Sequence, residues 1–169
     1  MEVPPDQGRK FALRWLARRP LTESEIRGRL ADKGFDEPQV ERTVGELIAK
    51  RLIEDSALAR DYIVLRSQRL RLGKERLLRD LQRRGVDPEI ADRAYREAVE
   101  VGDLDPEALL REALTRRIGR ERERSTSARR RVYNALLRAG FPAAGLYAEL
   151  KRQRDAFELA EHEYDDESP

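Results

Sequence analysis

LRSQRLRLGKERLLRDLQRRGVD, residues 65–87, is dense in arginine and leucine and poor in acids. Within it, Leu77 and Leu81 stand one helical turn apart, followed by Gly85, Val86 and Pro88. Apolar residues at that spacing, then a glycine, then a proline read as an amphipathic helix, its stop and the start of the next helix. The figure recurs at Gly34 and Gly140, with spacings of 51 and 55 residues. Four places before the glycines stand Leu30, Leu81 and Leu136, and eight before stand Ile26, Leu77 and Val132. Phe35, Val86 and Phe141 come one after, and Val40, Ile90 and Leu146 five or six after. The expected fold is therefore all-α, with three tandem three-helix repeats over 6–53, 54–101 and 103–157 and an acidic tail over 158–169. Stacked units of this kind bury their cores locally and give an elongated molecule.

The rest of the chain agrees with helices. Val40, Val44, Leu47 and Ile48 form one stripe, and Ile90, Ala94 and Ala98 another, with Tyr95 and Val99 beside it. Thr22 to Glu25 reads T-E-S-E, a capping box in which Glu25 reaches back to the Thr22 amide. Pro38, Pro88, Pro106 and Pro142 stand where first helical turns begin. No stretch alternates long enough for a strand.

Of the 169 residues, 39% are hydrophobic and 40% charged, too apolar for a disordered chain and too charged for one thick core. Cysteine is absent, which excludes disulfides and thiolate chemistry. Neither a signal sequence nor a membrane-spanning run is read, so a cytoplasmic protein is expected. No sustained heptad demands a dimer, and a monomer is expected. The net charge of +2 hides an asymmetry. The last fifteen residues hold seven acids and no Lys or Arg; without them, 35 basic residues face 26 acids, a balance of +9. A basic body with an acidic tail points to a polyanion or an acidic protein surface.

The basic residues are patterned. In the helix carrying Leu77 and Leu81, Arg76, Arg79 and Arg83 fall on the opposite face, with Lys74 and Arg84 beside them. The matching positions are Arg131, Asn134 and Arg138 in the third repeat, and Glu25, Gly28 and Asp32 in the first. A row of one sign repels itself, which points to an anionic partner. The segment 116–131, which includes Arg129, Arg130 and Arg131, holds eight arginines against two glutamates and is a second candidate contact for phosphate or an acidic surface. Arg66 and Arg69 share a face with Leu58, Tyr62 and Leu65, so Arg66 is expected to be structural, with a carboxylate partner.

Catalytic patterns are missing. Gly73 and Lys74 resemble the end of a phosphate loop, but Gln68 and Glu75 break the pattern. The single histidine, His162, lies in the acidic tail, and neither a metal set nor a Ser-His-Asp group can be assembled. No cofactor, metal or enzymatic activity is expected. Aromatic residues are only 6% and are read as inward-facing, so base stacking is not expected. Nucleic-acid binding would rest on phosphates and fall with salt.

Residues 12–35, ALRWLARRPLTESEIRGRLADKGF, resemble the opening of RecX regulatory proteins. The stretch 52–86 resembles the family's central block through Leu52, Asp55, Ala59, Arg66, Gly73, Leu81, Arg84 and Gly85, with Gly34 at the matching turn of the first repeat. Leu58 stands where the family usually has Phe, Ile26 where it has Leu, and Asp80 where it often has Glu. The resemblance implies tandem three-helix repeats and a non-enzymatic protein that binds the RecA recombinase filament. Such a protein inhibits ATPase, recombinase and coprotease activities and limits filament growth or promotes disassembly, in homologous recombination, DNA repair and the SOS response. The basic row would then meet RecA, and single- or double-stranded DNA through phosphates. The alternative is a sequence-independent DNA-binding helical protein without a dedicated protein partner.

Overall fold

The computed structural model describes residues 5–118 and 126–152, and every regular element among them is a helix. In chain order these are α1 (Pro5–Leu16), α2 (Glu23–Asp32), α3 (Glu37–Ala49), α4 (Asp55–Leu70), α5 (Lys74–Arg83), α6 (Pro88–Glu100), α7 (Pro106–Ile118) and α8 (Thr126–Arg138). A ninth, α9, covers 143–152. The expected all-α fold is observed.

The helix starts follow from side chains that accept exposed backbone donors. Thr22 Oγ1 accepts from Glu25 N at 3.0 Å while Glu25 Oε2 accepts from Thr22 N at 3.0 Å. Asp36 and Gln39 make a second capping box at α3, and Asp87 caps α6 ahead of Pro88. The ends follow from glycine. Gly34, Gly85 and Gly140 have φ of 85°, 81° and 90°. At all three, the next amide turns back to the leucine that closes the helix: Phe35 N to Leu30 O, Val86 N to Leu81 O and Phe141 N to Leu136 O, at 3.1–3.2 Å. That is one C-terminal motif made three times.

The aligned apolar positions are inward in each case. Ile26, Leu30, Leu77, Leu81, Val132 and Leu136 are buried, as are Phe35, Val86 and Phe141. Val40 and Leu146 are buried and Ile90 is half-buried beside buried Ala91. Ile48 departs from the expected stripe: it is exposed, and Val40, Thr43, Val44 and Leu47 carry the buried face of α3.

The chain forms two compact units. The first comprises Met1–Leu65 and Leu77–Asp103, the second Arg66–Arg76 and Leu104–Pro169. In the first unit, α1, α2 and α3 enclose a core of Ala12, Leu21, Ile26, Leu30, Phe35, Val40, Val44, Leu47 and Ile53. In the second, Leu109, Ala113 and Leu114 on α7 are buried, as are Ala128, Val132 and Leu136 on α8 and Leu146 on α9. No helix among the described residues is long and apolar enough to cross a membrane.

Candidate functional site

Two joints organise the residues singled out from the sequence. In the first unit, the turn after α5 rests on the start of α2. Thr22 Oγ1 donates to Arg84 O at 2.7 Å. A Cβ on Gly85 would collide with the Ser24 side chain. The Arg84 guanidinium forks onto Glu25, Nε to Oε1 at 3.1 Å and Nη2 to Oε2 at 2.9 Å, and also reaches Pro20 O at 3.1 Å. Arg19 adds two more contacts to the same carboxylate, both at 3.2 Å. Glu25 therefore accepts from two guanidinium groups and a backbone amide. These donors favour its ionised form over the burial penalty and hold its carboxyl at about 2, against an ordinary 4.5.

In the second unit the turn after α8 makes the matching joint with the start of α5. Gly73 N donates to Ala139 O at 2.8 Å, and Glu75 N to Gly140 O at 3.2 Å. By the glycine frame, Gly73 matches Thr22 and Ala139 matches Arg84. One contact is thus made twice, by a hydroxyl in one case and a backbone N–H in the other. Gly73 is buried, and any Cβ there would enter the Gly140–Phe141 backbone.

Asp55, at the start of α4, is buried at 8% exposure and accepts from Glu23 N, the first amide of α2, at 3.0 Å. Burial raises its carboxyl above the ordinary value and outweighs the opposing amide bond. Ala59 and Leu81 are fully buried, while Leu52 is 42% exposed. Arg66 is exposed, and so is Leu65 beside it. The buried line of α4 runs instead through Asp55, Ala59, Ile63 and Ser67, so the expected stripe of Leu58, Tyr62, Leu65 and Arg66 lies off its centre.

The expected basic face of α5 is more mixed than a single-sign row. Leu77 and Leu81 are buried on the inner side, Arg79 and Arg83 are exposed, and Lys74 and Arg76 are half-buried. Asp80 sits among them, accepting from Tyr62 Oη at 3.2 Å and pairing with Arg83. No hydrogen bond or ion pair joins Arg79 to another described residue. Arg84 is held by Glu25 within the joint. On α8, Arg129, Arg130, Arg131 and Arg138 are exposed on the side away from Ala128, Val132 and Leu136. Residues 119–125 of the arginine-rich junction, and the acidic tail, lie outside the described residues. Among the described residues, no group of His, Cys, Asp or Glu is placed to hold a metal.

Residues 9–47 match the family profile described as RecX, first three-helix domain. The regulatory protein RecX of Amycolatopsis mediterranei is 31% identical over 157 residues, covering 90% of this chain and 88% of that protein. The chain belongs to the RecX family. The regulatory protein RecX of Corynebacterium efficiens is 33% identical over 154 residues, covering 86% of this chain and 70% of that protein. The crystal structure of RecX from Lactobacillus salivarius superposes with a TM-score of 0.69 at 21% identity, covering 88% of this chain and 95% of that one. A second crystal structure, of a regulatory protein RecX, gives 0.72 at 22%, covering 88% and 71%. These two establish the likeness in fold.

Most residues that carry the RecX resemblance sit at packing positions. Asp55 caps α2, Arg84 and Gly85 seat one turn, and Gly73 seats the other. The sequence showed the Thr22–Glu25 box but not that Glu25 also binds Arg84, because a pairing 59 residues away leaves no local signal. A cluster on α1 and α2 was missed as well: Phe11 and Trp15 are half-buried and lie against cations. Its signal was a pair of rings one turn apart, followed by Arg29 and Lys33 at the same spacing.

Proposed function

We propose that this RecX-family chain is a regulator of the RecA recombinase that binds the filament and lowers its ATPase and strand-exchange activity, acting by contact and not by catalysis. The observation that carries the reading is the 31% identity across 88% of a protein named regulatory protein RecX. The filament-facing surface is assigned to the outer face of α5, with Arg79 and Arg83 as its exposed charges and Arg76 beside them. The outer face of α8, through Arg129, Arg130, Arg131 and Arg138, is a further contact. The electrostatics support this, because Arg79 is exposed and has no counter-ion among the described residues, which leaves it to an acidic partner or to phosphate.

The test is reversal of Arg76, Arg79 and Arg83 to Glu, assayed for inhibition of the DNA-dependent ATPase of RecA. The triple variant keeps its helical circular dichroism, since these side chains lie off the Leu77–Leu81 core line, and loses inhibition. A folded variant that inhibits fully removes α5 from the interface. A variant that fails only because it no longer binds bare DNA supports the DNA-binding alternative.

A further inference from the structure

On α5 a carboxylate stands among the arginines assigned to the filament. Asp80 follows Arg79 and precedes Arg83 by three residues, so helical spacing brings it within reach of Arg83. Arg83 Nη2 donates to Asp80 Oδ1. The other oxygen, Oδ2, accepts from Tyr62 Oη of α4 at 3.2 Å. The carboxylate is thus held on one side by its own helix and on the other by a neighbour.

The two partners of this ion pair are unequal. The Asp80 side chain is 11% exposed, against 63% for Arg83. Asp103 and Asp92, which pair with Arg60 and Arg96 in the same unit, are far more open than Asp80. Tyr62 is anchored in turn: the Arg84 guanidinium carbon lies 6.0 Å from its ring centroid, and Arg84 is forked onto Glu25. Arg83 can therefore swing outward on its long side chain. Asp80 cannot follow without leaving the Tyr62 hydroxyl.

This inequality changes the charge that a partner meets. Arg79 and Arg83 bring two positive charges and Asp80 cancels one. Arg79 has no counter-ion among the described residues and keeps its charge whole. An anion approaching Arg83 has to compete with a carboxylate already in place. Once Arg83 has moved, the anion also faces the charge left behind. The hydroxyl of Tyr62 offsets part of that charge, because a donor to a carboxylate shares its negative charge with the arginine.

We propose that Asp80 is a built-in counter-ion that restrains the α5 face: it occupies Arg83, and an anionic partner engages that arginine only by displacing it. Tyr62 is the positioning residue that fixes Asp80 and loosens its hold on Arg83. The identity of the partner rests on the RecA reading above.

The experiment compares wild type, Asp80→Asn, Arg83→Gln and the double variant, each as the full chain at low salt. One readout is inhibition of the DNA-dependent ATPase of RecA. The other, without RecA, is binding of polyglutamate. Asparagine keeps an acceptor for Tyr62 Oη and removes only the charge. Asp80→Asn is expected to inhibit at about fivefold lower concentration, which is about 1 kcal/mol, the upper end for an exposed ion pair. Polyglutamate binding tightens by a similar factor. In the Arg83→Gln background the same change gains less than about twofold, because the carboxylate has no arginine to occupy. Tyr62→Phe moves the other way and weakens inhibition about twofold, since the carboxylate then grips Arg83 harder. Circular dichroism checks that every variant stays folded. A carboxylate that merely braced α5 would give a loss in both Asp80→Asn and Tyr62→Phe. The proposal is overturned by unchanged or weaker activity of Asp80→Asn in both readouts, by an equal gain with and without Arg83, or by Tyr62→Phe moving in the same direction as Asp80→Asn. A polyglutamate gain that depends on Arg83, with no inhibition of RecA by any variant, would sink the RecA reading and leave the restraint standing.

Discussion

Two carboxylates in the first unit respond to pH in opposite senses. Glu25 is held at about 2 by Arg84, Arg19 and the Thr22 amide. Its folded value lies below its unfolded one, so its contribution is present above about pH 4.5 and is lost as pH falls toward 2. Glu25→Gln should lower the unfolding free energy at pH 7 by about 2 kcal/mol, the scale of hydrogen bonds to charged groups. In urea melts across the acid range, that deficit should shrink as the pH drops; a deficit constant from neutral to pH 2 contradicts the pairing. Asp55 is raised by burial, so its contribution is complete below its unfolded value and fades as pH rises through the folded one. Asp55→Asn retains an acceptor for Glu23 N, and relative to wild type it should gain stability between pH 4 and pH 7, values set by the ordinary carboxylate range of about 4. Asp55→Ala has no acceptor and should lose about 1 kcal/mol, as helix caps do. If Asn and Ala behaved alike at pH 7, the Glu23 hydrogen bond would be unimportant.

At the scale of elements, the glycine turns rank themselves. Gly34 has φ of 85° but open space around its missing Cβ, so Gly34→Ala meets only backbone strain of about 1–2 kcal/mol. Gly73→Ala must push the Gly140–Phe141 backbone away from the start of α5, and Gly140→Ala adds positive-φ strain to a collision with Arg76. Thermal melts should place Gly34→Ala well above both; equal melting temperatures would mean that the joints are loose. The difference between Gly34 and Gly140 was not legible in the sequence, where both read as the same helix stop. Local features were legible: the Thr22–Glu25 box, the glycine stops, and the pairs Ile26–Leu30, Leu77–Leu81 and Val132–Leu136. Each depends on neighbours within two turns. The α4 stripe was misjudged because Leu58, Tyr62 and Leu65 outweigh Ala59 and Ser67 in hydrophobicity. The structure buries the small residues and leaves Leu65 exposed, as close helix approach requires.

At the scale of the molecule, charge was a partial guide. The arginine pattern pointed to the outer faces of α5 and α8 but did not tell one basic residue from another. The fold sorts them: Arg84 and Arg19 are bound to Glu25, Arg83 is shared with Asp80, the Arg29 guanidinium carbon lies 5.6 Å from the Trp15 ring centroid, and Arg79 has no partner among the described residues. Only a three-dimensional arrangement separates a structural guanidinium from one available to a partner. Asp55, Gly73 and Gly85, which carry the family resemblance, stand at contacts between helix ends that a larger or apolar side chain would disturb. The activity assigned to the chain rests on that membership and on the α5 surface. The most direct measurement is the single-stranded-DNA-dependent ATPase of RecA titrated with the full chain, beside binding to the same DNA without RecA. Filament regulation predicts inhibition at well below one chain per RecA, under conditions where little bare DNA is occupied. Inhibition that appears only when the chain coats the DNA, or none at equimolar protein, would contradict it.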